Sequence, residues 1–121
     1  MAYEPKKRIS KFLKATSTDV TQVCKCPNDR SYNIKEIFIS NVSSNAITYT
    51  LTIRKYDKTS DDGSGESFTL INSNTLASNG FIRFDSADIM LEREDILNIQ
   101  ASESDAVHVS VFIEEYINIG R

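Results

Sequence analysis

Tryptophan is absent from this 121-residue sequence, and histidine, cysteine, proline and glycine are scarce. The two cysteines, Cys24 and Cys26, form one closely spaced pair and not the framework of a secreted disulfide-rich domain. We therefore expect a chain from a reducing compartment that folds without cross-links. The missing tryptophan and the missing pair of distant cysteines also argue against a true immunoglobulin domain.

Long apolar runs are missing as well, since no stretch approaches the roughly 20 residues that cross a bilayer. The N-terminal segment is interrupted by Ser10, Lys11 and Lys14 and does not have the apolar core of a signal peptide. We expect a soluble, unprocessed chain with no membrane partner. Its apolar share of 40% and its length are those of a single globular domain.

The net charge of -3 conceals an asymmetry along the chain. Residues 1–14 contain five cations and one carboxylate, a local charge of +4, so residues 15–121 sum to -7. We predict a basic N-terminal arm over residues 1–17 and a β-sandwich domain over residues 18–121. A basic arm suits an acidic patch on a partner, although a solvated tail would have the same composition.

Apolar side chains recur at every second position over much of the chain, which is typical of strands with one buried face. The clearest examples are residues 47–56 and 107–113. In residues 34–42, Ile37 shares one predicted face with Ile39, while Ile34 and Phe38 share the other, so both faces of that strand have apolar cover. Further strands are predicted over residues 9–16, 19–26, 67–71, 81–84 with a continuation at 89–91, and 97–101.

Turn-forming residues separate these segments. The stretches 61–65 and 78–80 are rich in glycine, asparagine and aspartate and predict hairpin tips with positive φ angles. Residues 86–94 come nearest to a helical pattern and predict one short turn. About eight strands in a chain of this length predict an all-β fold of two antiparallel sheets packed face to face, either a jelly roll or an immunoglobulin-like sandwich.

Side chains that carry chemistry are few and scattered. His108, the only histidine, lies between two valines of a predicted core face and therefore points away from that core. Cys24 and Cys26 supply two metal ligands, whereas a zinc site needs about four.

Two groups of acidic residues also do not match a calcium site or a catalytic acid–base pair. Residues 57–66 place oxygen ligands around two glycines, but the glycine register differs from that of a calcium loop. Glu114 and Glu115 are adjacent in one strand and face opposite ways, so they do not form an acid and base pair. We predict no catalytic residue, no metal and no cofactor, and hence no enzyme.

Several stretches carry a resemblance to a known family. Residues 18–27 form a strand that ends at Pro27, and residues 34–43 form a strand that ends in the Asn41-Val42-Ser43 break. Residues 91–102 run from Leu91 through a turn and Asp95 to an alanine and a serine, and residues 107–114 form a closing strand. This series resembles the small β-sandwich virion proteins of tailed bacteriophages.

Two positions depart from the pattern of that family. Glu94 stands before Asp95 where the family usually has glycine, and Asn28-Asp29-Arg30 follows the proline where small residues and glycine are usual.

The resemblance implies a non-enzymatic structural protein of a phage virion, assembled in the host cytoplasm. The expected role is that of a capsid decoration or cement protein, which forms homo-oligomers and binds the major capsid protein through its N-terminal arm and sheet edges. A neck or tail accessory protein is the alternative. The expected contact residues are Lys6, Lys7, Arg8, Ile9, Lys11, Phe12, Leu13 and Lys14.

Two other classes of function are open. A carbohydrate-binding or receptor-binding module should expose clustered aromatics, but Tyr32, Tyr49 and Tyr56 do not cluster in one loop. Nucleic-acid binding through the basic arm ranks last, because the acidic body would repel phosphates.

Overall fold

A computed structural model describes residues 6–56 and 65–117, and these residues form eight strands and no helix. The strands are β1 Lys6–Ala15, β2 Thr21–Lys25, β3 Arg30–Asn41, β4 Ile47–Arg54, β5 Ser67–Leu76, β6 Phe81–Leu91, β7 Ile96–Ala101 and β8 Val107–Ile117. A helix long and apolar enough to cross a membrane is accordingly not found in the described part of the chain.

The strands build two four-stranded antiparallel sheets. Sheet A has the order β1-β8-β3-β6, and sheet B has the order β2-β7-β4-β5. Consecutive strands lie in opposite sheets along much of the chain, and the first strand pairs with the last, which is the double Greek key of a jelly roll. The predicted all-β sandwich is confirmed, and the strand order selects the jelly roll over the immunoglobulin-like arrangement.

The core lies between the inner faces of the two sheets. In β8 every second side chain is buried from Val107 to Glu115, and β4 alternates in the same way from Ile47 to Leu51. Burying a large aliphatic side chain contributes about 1.5–3 kcal/mol, so this alternation is the main source of stability. The largest fully buried side chains include Tyr49, Ile34, Ile37, Ile39, Leu51, Leu91, Leu97, Ile99 and Ile113.

A bulge changes the predicted facing of β3. The register with both β6 and β8 shifts between Ile34 and Glu36. One extra residue in the pleat turns Ile34 to the inner side, where it is fully buried with Ile37 and Ile39. The prediction that Ile34 shares a face with Phe38 was therefore wrong, and Phe38 points outward.

The predicted short turn over residues 86–94 was also wrong for most of its length. Strand β6 continues through Leu91, with a bulge in which Asp88 takes a positive φ of 49°. Turn chemistry was read correctly at residues 78–80, where Asn79 has a φ of 57°. The predicted hairpin tip at 61–65 and the candidate calcium loop at 57–66 lie largely outside the described residues.

The division into a basic arm and a sandwich requires correction. Lys6–Ala15 form strand β1, which pairs with β8 over ten residues and belongs to sheet A. The strand joins the sheet because Ile9, Leu13 and Ala15 pack against the core, and the Asp105 amide donates to the Ala15 carbonyl. Residues 1–5 of the predicted arm lie outside the described part of the chain.

Two buried polar side chains hold the loops at the ends of the sheets. Asn41 lies at the end of β3, and its Nδ2 atom donates to the carbonyls of Asn45 at 2.8 Å and of Leu76 and Ala77 at 3.1 Å. Its Oδ1 atom accepts from the amide of Ser43 at 2.9 Å and from the Ser43 hydroxyl at 2.7 Å. The Asn-x-Ser break is thus a clamp between the β3–β4 and β5–β6 turns.

Asp95 plays the same part at the opposite end. Its carboxylate accepts from the amides of Glu92 at 2.9 Å and Tyr56 at 3.0 Å, and from Lys55 Nζ at 2.7 Å. These bonds tie the β6–β7 turn to the segment that follows β4. The residue before it, Glu94, has a φ of 66°, the left-handed conformation that favours glycine.

Candidate interaction surface

The eight predicted contact residues lie on β1, an edge strand, and alternate between its two faces. Arg8, Phe12 and Lys14 point to the outer face of sheet A, away from sheet B, whereas Lys7 and Lys11 point to the inner side at the sandwich rim. Of the three predicted apolar anchors, Ile9 and Leu13 pack against the core, and Phe12 is 80% exposed. Lys6 belongs to the strand, and its side chain lies outside the description.

The outer face of sheet A presents one phenylalanine from each of its four strands, and we call it the phenylalanine face. Its members are Phe12 on β1, Phe112 on β8, Phe38 on β3 and Phe81 on β6. Phe81 is 64% exposed, and its ring stacks on Phe38 with centroids 5.2 Å apart and planes 15° apart. Phe38 and Phe112 are half-buried by their neighbours on the face.

Charged side chains surround these rings. The Arg83 guanidinium donates to Glu36 Oε2 through Nη2 at 2.7 Å and Nε at 3.0 Å, and Nε also lies 2.8 Å from Asp85 Oδ1. These bonds raise the pKa of Arg83, chiefly through Glu36. On β1 the face carries Arg8 and Lys14. The β1 side of the face is therefore positive, and at the β6 side the Arg83 cation is paired with two carboxylates.

The remaining predicted chemical groups do not assemble into a reactive centre. His108 lies on the phenylalanine face of β8, opposite Lys14 on one side and Ser40 on the other. Among the described residues no group of three or more histidine, cysteine, aspartate or glutamate side chains is placed to hold a metal.

The thiols of Cys24 and Cys26 are buried and unpaired. Burial raises the pKa of Cys24 to about 11 and that of Cys26 to about 12. Both thiols are therefore protonated near neutral pH, and the Cys26 thiol donates to the Arg30 carbonyl at 3.2 Å. These groups act as small core side chains.

A groove lies between β5 and β6. This groove has a volume of about 490 Å³ and is lined mainly by apolar side chains, among them Ile37, Leu51, Leu70, Phe84 and Ile89. Arg83 and Asp85 also border it, and they are paired with each other. The lining contains no nucleophile and no ligand cluster among the described residues.

Sequence reasoning found Phe12 and missed Phe38, Phe81 and Phe112. The signal was present, since Phe38 and Phe112 occupy the positions that alternate with buried residues, where a strand exposed to water usually carries polar side chains. The sequence does not show which strands are adjacent. Phe12 and Phe112 are about a hundred residues apart in the chain, yet they lie on neighbouring strands of the sheet.

No family model and no curated relative matches the chain, and the similarities are to solved structures. A chain of the infectious bursal disease virus particle aligns with a TM-score of 0.56 at 10% identity, over 98% of this chain and 33% of the viral chain. This chain thus spans about a third of that viral protein.

Two further structures share the fold. The core of Drosophila NLP, described as a histone-binding pentamer, aligns with a TM-score of 0.53 at 8% identity, over 90% of this chain and 97% of that one. A subunit of Bacillus endospore appendages, which are disulfide-linked pili, aligns with a TM-score of 0.50 at 11% identity, over 95% and 88% of the two chains. At these identities the similarity shows a common jelly-roll fold.

Proposed function

We propose that this chain is a non-enzymatic structural subunit of a virus particle, where it decorates the shell by binding neighbouring capsid subunits. The observation that carries the proposal is strand β1, an edge strand with five cations on an otherwise acidic chain. The phenylalanine face is a second contact surface, because its four rings form an apolar patch rimmed by charges. The jelly roll of a viral particle protein supports the assignment at the level of the fold.

Strand β1 is the proposed contact with the shell protein. It carries Lys6, Lys7, Arg8, Lys11 and Lys14 in ten residues of an edge strand, on a chain that is otherwise acidic. Charges of one sign on an edge prevent indiscriminate strand pairing and also steer the strand toward an acidic partner. Ile9 and Leu13 fix the strand to the core, so the cations are presented on a rigid support.

The three tyrosines considered for the glycan-binding alternative form no platform in this fold. Tyr32 and Tyr49 are core residues, and Tyr56 lies under the Arg93 guanidinium, with 5.7 Å between the guanidinium carbon and the ring centroid. The three tyrosines therefore offer no shared aromatic surface on which a sugar ring could stack.

The particle itself provides the test of location. Purified particles should contain the chain in constant proportion to the major capsid protein, and cryo-electron microscopy should place its density on the outer shell. Absence from purified particles would overturn the proposal. Density confined to the neck or tail would overturn the decoration role and leave the accessory role.

Charge reversal tests the contact. Lys7→Glu combined with Lys11→Glu should reduce co-sedimentation with preassembled shells at least tenfold, because two attractions become repulsions. Arg54→Glu, an exposed cation on β4 of sheet B, is the control and should bind like the unaltered chain. Equal binding by both variants would exclude β1 as the contact.

A further inference from the structure

We propose that the phenylalanine face is covered by a second copy of this chain. The two copies pack sheet A against sheet A about a two-fold axis that runs along the strands between β8 and β3. The inference goes beyond the particle role, since it concerns the free protein in solution.

The size of the face suits a dimer. Four strands spaced about 4.8 Å apart, each with roughly ten residues rising about 3.3 Å, cover roughly 600 Å² per copy. Two copies together would bury roughly 1,200 Å², which is at the lower end of stable, specific interfaces. The aromatic rings at the centre supply the kind of side chain that dominates the energetics of such contacts.

The described charges on the face are balanced. The cations Arg8, Lys14, Lys35 and Arg83 equal in number the carboxylates of Glu36, Asp85, Asp88 and Glu114, so these groups do not repel a second copy of the face. A two-fold axis along the strands places β1 of one copy over β6 of the other. By the register of the sheet, Lys14 then faces Phe81 and Arg8 faces Met90 of the other copy. Glu36 and Asp85 keep their ion pairs with Arg83 of their own copy.

The register across the sheet also favours this pairing. Phe12, Ser110, Phe38 and Arg83 lie in one row from β1 to β6. The two-fold operation reverses the row in the second copy. Phe12 then faces the Arg83 guanidinium of the other copy, a cation–π geometry, and the small side chain of Ser110 faces the Phe38 ring.

The edges of β5 and β6 are poor alternatives for self-association. Ser73 in β5 and Asp88 in β6 have φ angles of 48° and 49°, and bulges interrupt the register of both strands. Such irregularities disturb the row of backbone donors and acceptors that an added strand would need. Self-association through these two edges is therefore disfavoured.

Sedimentation of matched variants tests the dimer. The purified full-length chain should sediment with twice the monomer mass at micromolar concentration, and Phe81→Ser should halve that mass. Phe68→Ser is the control, because Phe68 is a 48% exposed residue on β5 of sheet B and lies outside the face. Thermal melts should show that both variants stay folded, as expected for exposed positions.

A cysteine near the axis provides a second, geometric test. Facing sheets lie about 10 Å apart, so Ser110→Cys should be joined to its equivalent by a bismaleimide cross-linker of about that length, while Thr52→Cys on β4 of sheet B should stay monomeric on denaturing gels. The native thiols do not interfere, because both are buried. A monomeric unaltered chain, or a dimer that Phe81→Ser leaves intact, would overturn the inference. Neither result would bear on whether particles contain the chain.

Discussion

At the scale of single residues, the Asn41 side chain makes five hydrogen bonds at the end of β3. Its amide group satisfies three carbonyls from two separate turns and accepts from Ser43. Because the site is buried, water cannot easily replace these bonds. The residue therefore determines how two loops at one end of the sandwich are held together.

Asn41→Ala should lower the free energy of unfolding by about 3 kcal/mol, because buried carbonyls lose their donor. The measurement is urea denaturation followed by circular dichroism. Asn72→Ala, at an exposed position on β5, is the matched control and should change stability by less than about 0.5 kcal/mol. Similar losses in both variants would contradict the clamp.

Glu94 presents the opposite situation, a residue whose backbone conformation suits another amino acid. A left-handed φ costs an L-residue roughly 1–2 kcal/mol in the folded state. Glycine avoids this strain but loses roughly 0.5–1 kcal/mol of stability, because its unfolded backbone has more conformational freedom. Glu94→Gly should therefore stabilise the fold by about 0.5 kcal/mol, despite loss of the partly exposed ion pair with Lys25. Glu92→Gly, which lacks a positive φ, should destabilise it, and chemical denaturation of the pair measures the difference in sign.

At the scale of strands, alternation made β4 and β8 predictable, because one face of each is aliphatic and the other largely polar. The same rule misplaced Ile34, since a one-residue bulge inverts the facing of everything before it. It also separated β1 from the sandwich, because cations dominate its composition. Pairing with β8 and packing of Ile9 and Leu13 outweigh that composition, and sequence periodicity does not show either contact.

Removal of residues 1–14 should therefore unfold the domain, whereas a sandwich confined to residues 18–121, as expected from the sequence, would keep its fold. The truncation takes nearly all of β1 and exposes one edge of β8, a strand with five buried side chains from Val107 to Glu115. We expect loss of the cooperative thermal transition and aggregation on expression. A truncated chain that melts like the full-length protein would restore the view that β1 is dispensable.

At the scale of the whole molecule, burial in the sandwich raises the pKa of two thiols and one phenol. Burial raises the pKa of Cys24 to about 11, that of Cys26 to about 12 and that of Tyr32 to about 12. The ordinary values are 9.0 for the thiols and 10.0 for the phenol. Above pH 9 the unfolded chain loses protons that the folded chain keeps, so the unfolded state binds fewer protons and stability falls as pH rises.

The melting temperature should thus be insensitive to these groups below about pH 9 and should fall from there toward pH 11. Cys24→Ala combined with Cys26→Ala will start from a lower melting temperature and should show a shallower decline. Scanning calorimetry at several pH values measures both slopes. Parallel slopes in the two proteins would show that the thiols are not the cause.

The candidate surface was less predictable than the fold, because it is a property of the assembled sheet. Phe12, Phe38, Phe81 and Phe112 come from four strands, and their proximity follows from the order β1-β8-β3-β6. The alternation of side chains in the sequence indicates that each strand has an outer face. Only the jelly-roll connectivity brings those outer faces side by side.

The position of β8 has a consequence for biosynthesis. This strand lies between β1 and β3, so sheet A remains two unconnected parts until residues 107–117 have emerged from the ribosome. Until then β1 has no partner, and its only stable position is still being translated. We therefore infer that sheet A does not form during elongation. It assembles after β8 has emerged, through contacts between residues far apart in the sequence, which form slowly.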